Sequence, residues 1–444
     1  MQHSHKINTL EAFALSLATM APTGSLAGNA GPTAKFAGIN LPLSFLVAAV
    51  AMSLVAIGFY EMSKLIAANG SVYAYNRKSL GEHWGFVSGW ILTLGYIVFS
   101  AGMNAQLGNY ASLIFKELGF NVSPVLIGFI LIILIAIILS HGIKITSNVS
   151  LVTEIIALTI LMILSFTILG KGGANGLNVK PFIPKTSLSG IASGVVYTVM
   201  CFVGFEVSCT VATRTKNPKH SIPFALMSTI IGGAIIFVFV SYTIVMGFGS
   251  NHINALVNSP APLSTLAGRF MGPGMTIIIN FAIFISALGG TICVTNAAAY
   301  MLFALGQKHY LPHFLGNFNY RHNAPRHSIL LVMITSLILY TSVAVTNGIN
   351  TTYLYYITLG ALCMIVIYLF SCISSFTFFK RHQEFHHSIF KHDLAPVCGF
   401  IVLLFPLISN IYPVPKFPLN LFPYFILAWG IAGYIMSIHH TKKN

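Results

Sequence analysis

The chain has 444 residues, of which 23 are Lys or Arg and only 8 are Asp or Glu, so charged residues make up 7% of it where a soluble domain carries about 25%. Together with 56% hydrophobic residues, this excludes an ordinary water-soluble protein. The formal net charge of +15 does not point to nucleic acid, because the basic residues sit in short gaps between apolar runs and not on one face among stacking aromatics.

Residues 1–9 are short and polar, and the first apolar segment after them lacks the small-residue cleavage site of a removable leader. Apolar segments recur near 10–31, 41–67, 84–115, 123–142, 147–170, 188–212, 222–248, 273–305, 328–346, 352–379, 394–412 and 419–438. Each is long enough to cross a hydrocarbon core about 30 Å thick as a helix. A β-barrel would need alternation over about ten residues, whereas Leu126 to Ser140 is apolar on every side. The expected class is an all-α integral membrane protein with 12 transmembrane helices. If the N-terminus is cytoplasmic, 16 of the 23 basic residues fall on the cytoplasmic side, among them Lys64, Lys144, Lys219, Arg321, Lys391, Lys442 and Lys443. The positive-inside rule then puts both termini, 1–9 and 439–444, in the cytoplasm of a multi-pass inner-membrane protein.

Six cysteines lie in or near apolar runs without metal-ligand spacing. Most histidines, such as His386 and His387, read as solvated loop residues, so no metal and no cofactor is expected. The connecting loops are too short to hold a soluble catalytic domain, and no intramembrane His/Asp/Glu cluster suggests an embedded enzyme. A channel would want a ring of repeated polar side chains, which is also missing.

A spanning helix tolerates a break only where the freed backbone is buried in protein or faces a water-filled cavity. The first span places Pro22, Thr23, Gly24 and Ser25 at its middle, and the sixth reads Cys201-Phe202-Val203-Gly204-Phe205-Glu206. Taken singly, each is also what a kinked, tightly packed helix shows. Both open a set of five spans, 10–170 and 188–380, and paired interruptions point to a transporter built from inverted repeats. N–H groups after the first break carry a positive helix end suited to a carboxylate near Thr23, Gly24 and Ser25. Carbonyls freed around Cys201 and Phe202 suit an ammonium group. Together they would recognise an α-amino acid.

The residues Phe59-Tyr60-Glu61-Met62-Ser63-Lys64, continuing through Asn69-Gly70-Ser71-Val72-Tyr73-Ala74-Tyr75 to Gly81-Glu82 and Gly89-Trp90, resemble a characteristic region of the amino acid–polyamine–organocation (APC) superfamily of permeases. Phe202-Val203-Gly204-Phe205-Glu206, followed by Thr215-Lys216-Asn217-Pro218 and Ile222-Pro223, is similar to that superfamily's "F-x-G-x-E…K-N-P…I-P" signature. The resemblance covers essentially the whole chain. It implies a 5+5 inverted-repeat core with discontinuous helices 1 and 6, two accessory helices over 394–438, and alternating access around a midplane site. It also implies that Thr23, Gly24 and Ser25 bind carboxylate, that Cys201, Phe202 and Gly204 lie on the unwound amine-binding stretch, and that Met200 stands at a gate. The chain departs from the pattern after span 8, where it reads Gln307-Lys308-His309-Tyr310.

A carboxylate at mid-bilayer costs at least about 2.5 kcal/mol, so intramembrane glutamates ask for a reason. Glu154, inside span 5 with no basic residue near it in sequence, is the expected proton-coupling residue, and a proton is expected over sodium. Glu206 and Pro22 are expected to shape the breaks. A side-chain pocket is expected from Tyr96, Phe99, Phe202, Phe205, Ile283 and Tyr355 or Tyr356. Spans 3, 8 and 10 carry no acid, which favours a neutral amino acid over a cation. The expected function is secondary active transport of an amino acid, with an amino acid/amine exchanger or polyamine permease as the alternative. The expected partners are that solute and membrane lipid, with the protein a monomer or homodimer.

Overall fold

Hydrocarbon offers a backbone no hydrogen-bonding partner, so a spanning chain must satisfy its own amides, and this one does so by being helical almost throughout. The computed structural model describes residues 6–68, 70, 72–141, 143–319, 324–382, 387–412 and 414–441. Asn69, Ser71, Arg321, His386, Lys442 and Lys443 therefore lie outside the described residues. Sixteen α-helices succeed one another: α1 (Thr9–Met20), α2 (Pro22–Ala37), α3 (Leu41–Leu65), α4 (Val72–Leu80), α5 (Glu82–Glu117), α6 (Pro124–Ser140), α7 (Ile143–Gly170), α8 (Leu188–Cys201), α9 (Pro218–Phe248), α10 (Ile253–Val257), α11 (Pro262–Met271), α12 (Met275–Gln307), α13 (Arg326–Asn347), α14 (Ile349–Arg381), α15 (Ala395–Ser409) and α16 (Phe422–Thr441). A 3-10 segment, Val207–Arg214, stands between α8 and α9. Among the described residues there is no strand, only the isolated bridges Ile7–Thr215 and Asn319–Ala324.

Nine helical stretches among the described residues are long and apolar enough to cross a membrane, and α6 and α8 are shorter apolar helices beside them. One of the nine, Thr9–Leu65, contains 57 residues, which as a single rod would be about 85 Å long. It is divided at Ala21 and again by a 3-10 turn over Gly38–Asn40.

The packing has a regular pattern. α3 lies on α9 and α5 on α12; α1 also packs on α9 as α8 does on α3, and α5 on α14 as α12 does on α7. The large side chains Tyr96, Tyr300, Tyr368, Phe59, Phe202 and Phe205 are fully buried among these helices. Outward faces stay apolar, as at Ile130, Ile133 and Ile137 on α6, because lipid and not water meets them. α15 and α16 sit on the outside, α15 against α3 and α14 and α16 against α5. There Trp90 and Trp429 stack at 4.6 Å.

Candidate functional site

α1 opens with a capping box in which the Asn8 side chain and Glu11 carboxylate serve each other's backbone N–H groups. It ends at Met20 because Ala21 turns into the left-handed region at φ 42° and ψ 63°. Pro22 then occupies the first position of α2, where a missing N–H loses nothing and a fixed φ favours the new helix. Ser25 N–H bonds back to the Ala21 carbonyl at 2.8 Å, and its hydroxyl donates to the Met20 carbonyl at 2.6 Å. Among the described residues no backbone carbonyl accepts from the N–H of Thr23 or Gly24, and the buried Thr23 hydroxyl has no partner. Two amides and a hydroxyl at a helix N-terminus make a small positive cradle.

The second break is longer. After α8 ends at Cys201, the chain turns through residues 202–206 into the 3-10 segment. Gly204 has φ 99°, and a Cβ there would stand 2.5 Å from Thr19 Cγ2 of α1, so only glycine fits both the backbone and the approach. Its N–H donates to Tyr368 Oη at 3.3 Å. Tyr368 and Tyr96 donate in turn to the two Glu206 carboxylate oxygens at 2.6 and 2.8 Å. The Phe202 carbonyl accepts from Phe205 N–H at 3.4 Å, while among the described residues those of Cys201 and Val203 accept no backbone bond. The two breaks face each other: Ser208 N–H donates to Ser16 Oγ at 3.0 Å, and Cys201 Sγ lies 3.9 Å from the Ser25 carbonyl.

Between them is a cavity of about 20 Å³ lined by Thr19, Met20, Ala21, Ser25, Asn29, Phe99, Met103, Gln106, Met200, Val203, Tyr353 and Ile357. That is room for about one water. Gln106 closes one side by donating to the Gly24 carbonyl at 3.1 Å. Beyond it a wider recess of about 210 Å³ shares Gln106 and Tyr353 and adds Asn109, Tyr110, Ser259 and Asn350.

The sequence candidates thus divide. Ser25, Met200 and Phe99 line the cavity; Thr23, Gly24 and Gly204 form the two breaks, and Pro22 and Glu206 shape them. Tyr96 is committed to Glu206. Phe202 packs edge-on against Phe237, and Phe205 against Phe59 and Tyr368. Ile283 is buried elsewhere on α12. Tyr355 meets Phe422 of α16, and Tyr356 donates to the Leu339 carbonyl; the tyrosine of α14 on the cavity is Tyr353. Sequence reasoning missed Tyr353, Met103, Asn29, Val203 and Ile357. The periodicity of α5 carried one usable signal, since Phe99, Met103 and Gln106 recur at three- and four-residue spacing on one face.

Glu154 is 2% exposed, outside the cavity lining, in α7. Its Oε2 accepts from Ser286 of α12 at 3.0 Å, and its Oε1 is buried without a partner. Neighbouring Ser150 donates to the Gly289 carbonyl at 3.3 Å, so hydrogen bonds from both residues add to the packing of α7 on α12. Among the described residues no cation pairs with Glu154, and no group of three His, Cys, Asp or Glu could hold a metal.

A family model described as amino acid permease matches residues 7–436. The chain is 24% identical over 431 residues to the branched-chain amino acid permease BcaP of Lactococcus lactis subsp. cremoris (strain MG1363), covering 91% of this chain and 89% of the relative. It is similar to BcaP of Bacillus subtilis (strain 168), at 25% over 66% of each chain. It is also similar to cationic amino acid transporter 4 of Homo sapiens, at 27% over 67% of this chain and 48% of that one. With many apolar helices and a match that spans nearly every residue, this multi-pass membrane protein belongs to the amino acid permease family of the APC superfamily.

Proposed function

We propose that this protein is a secondary active transporter of a neutral, aliphatic α-amino acid, working by alternating access. In this reading twelve spans form two inverted five-helix repeats, with α1/α2 and α8 to Val207–Arg214 as the discontinuous first and sixth spans and α15 and α16 as accessory helices. The mirrored packing of α1 on α9 with α8 on α3, and of α5 on α14 with α12 on α7, supports it. Both termini are cytoplasmic, as the basic-residue distribution favours.

One observation carries the reading. Among the described residues the N–H groups of Thr23 and Gly24, beside the cavity residue Ser25, are unspent, as are the carbonyls of Cys201 and Val203 in the second break, which meets the first at Gly204–Thr19 and Cys201–Ser25. A carboxylate seats on the first and an ammonium on the second. Phe99, Met103, Met200, Val203 and Ile357 surround the remaining space without an acidic side chain, which suits an aliphatic group and agrees with the branched-chain relatives. The cavity of about 20 Å³ is too small for the solute, and the flexible thioethers of Met103 and Met200 swing to admit it. Met200 acts as the gate.

Glu154 is the coupling site, and a proton the coupling ion. Its unpartnered oxygen sits at a contact between α7 and α12 without any described counter-charge, where adding or removing a proton changes the cost of burial.

The test is uptake of labelled leucine, isoleucine and valine into proteoliposomes with an imposed pH gradient, acid on the side of entry. Saturable accumulation that collapses with a protonophore is expected. Glu154→Gln should abolish accumulation but preserve counterflow exchange. No counterflow of any neutral amino acid by the wild-type protein would overturn the transport assignment; full accumulation by the variant would overturn the role of Glu154 alone.

A further inference from the structure

Away from the central site, a cavity of about 560 Å³ opens between α3, α9 and the turn before α15. Its character changes along its length. At one end stand Lys64, Lys219, His220 and Lys391; deeper in, the walls are Ile57, Phe224, Met227 and Ile231. From Lys219 to Ile231 along α9 is about 18 Å at 1.5 Å per residue, so the groove begins at the helix ends and runs well into the hydrocarbon layer. Phe224 and Ile231 are more than half exposed, which leaves its apolar part open sideways to lipid.

The charges at the mouth do not cancel. Glu61 is the one carboxylate among the residues that line the groove, and it is shared by Lys64 at 3.3 Å, Lys391 at 3.6 Å and the His392 ring at 3.9 Å. Lys64 also lies over the Tyr60 ring. Lys219 makes no ion pair among the described residues, and nearby Asp393 is held by His387 at 2.7 Å. Three lysines thus line a groove that holds a single carboxylate, at the end of the bundle that the positive-inside distribution assigns to the cytoplasm.

We propose that this groove binds one anionic phospholipid of the cytoplasmic leaflet. Its phosphate sits among Lys64, Lys219, His220 and Lys391, and an acyl chain lies along Ile57, Phe224, Met227 and Ile231. Both halves of the surface are needed by such a molecule: a basic pocket between spans at the cytoplasmic interface attracts an acidic headgroup, and the apolar channel gives its chain a defined path. A free phosphate would use only the first half and a neutral lipid only the second.

The test is native mass spectrometry of the full-length protein in detergent, titrated with phosphatidylglycerol or phosphatidylcholine of identical chains. Phosphatidylglycerol should bind the more tightly, with inorganic phosphate at millimolar concentration failing to displace it. The triple variant Lys64→Gln/Lys219→Gln/Lys391→Gln should lose affinity for phosphatidylglycerol by roughly tenfold or more, leaving phosphatidylcholine unchanged. A variant with equal charge loss at Lys35, Lys116 and Lys180 should bind as the wild type does. Should the triple variant fail to fold, Met227→Trp, which fills the apolar channel without touching a charge, should weaken phosphatidylglycerol on its own. Equal binding of the two lipids, displacement by inorganic phosphate, or unchanged affinity in whichever groove variant folds would overturn the proposal.

Discussion

At the first break a single residue, Ala21, turns the chain and α2 begins at once; at the second, α8 stops at Cys201 and no further α-helix starts until Pro218. The short break leaves its polar groups open, with the Thr23 and Gly24 amides and the Thr23 hydroxyl unspent. Its longer counterpart is braced across the bundle, by Tyr368 on the Gly204 amide and by Tyr96 and Tyr368 on Glu206. Backbone freed inside a membrane protein must find partners. One break leaves some of that need unmet among the described residues; the other meets much of it with side chains from α5 and α14. The first is therefore the softer of the two, and the second the braced frame beside it.

The strongest challenge to that contrast is Gly204→Ala. A methyl group would enter a backbone at φ 99° and stand 2.5 Å from Thr19 Cγ2, so the frame must move away from α1. Destabilisation of about 2–4 kcal/mol is expected, with uptake per folded molecule down by roughly a hundredfold because the facing groups lose register. Thermal melting and transport at matched surface expression would measure both. Normal transport by this variant would mean that the close approach of the two breaks is not needed.

Next in size is Glu206→Gln. Its amide keeps the shape but offers one oxygen where two tyrosine hydroxyls now donate, so one buried hydroxyl is left to compete or go unpaired. A loss of about 1–3 kcal/mol is expected. Tyr96→Phe, which removes one donor and leaves a carboxylate oxygen bare, should fall in the same range, and the double variant should be less than additive. Additive losses in melting experiments would show that Tyr96 and Glu206 act separately.

Thr23→Val separates the two halves by sign. The Thr23 hydroxyl is buried without a partner, so an isosteric apolar group should leave stability unchanged or improve it by up to about 1 kcal/mol. If that hydroxyl waits for a carboxylate, the apparent KM for the solute should rise by roughly tenfold. Unchanged KM would make the hydroxyl an idle feature of the break.

The turns at Ala21–Pro22 and at Gly204 were legible in the sequence because Pro22 and Gly204 act locally: one lacks an N–H, the other tolerates positive φ, and both facts survive without any knowledge of neighbours. The pairing of Glu206 with a break was legible too, since a carboxylate inside an apolar run demands partners. What sequence reasoning missed depends on rotation about a helix axis. α14 is apolar nearly all round, so nothing in its pattern distinguishes Tyr353, which faces the cavity, from Tyr355, which faces α16. Tyr96 looked like a pocket residue because an aromatic in span 3 fits one, and only the fold reveals that its hydroxyl already serves Glu206. Ile283 is buried on α12 away from the cavity lining. Span ends were obscured where loops are themselves helical, as at α4, α10 and α11.

The smallest expected effect is the most discriminating about the soft half. Ala21 is a non-glycine residue at φ 42°, a conformation that disfavours an L-residue by roughly 1–2 kcal/mol. Glycine would remove that strain, but it would also widen the unfolded ensemble by an amount worth about 0.4–1 kcal/mol and delete a methyl that is 1% exposed beside α12. These opposing contributions leave Ala21→Gly within about 0.5 kcal/mol of the wild type, in contrast to the large loss at Gly204, although both residues sit at a positive-φ turn in a broken span. A loss above about 1.5 kcal/mol in a melting assay would mean that the Ala21 methyl holds the bend by packing. The first break would then be as rigidly framed as the second, and its open amides would be a static feature instead of the part that responds to the solute.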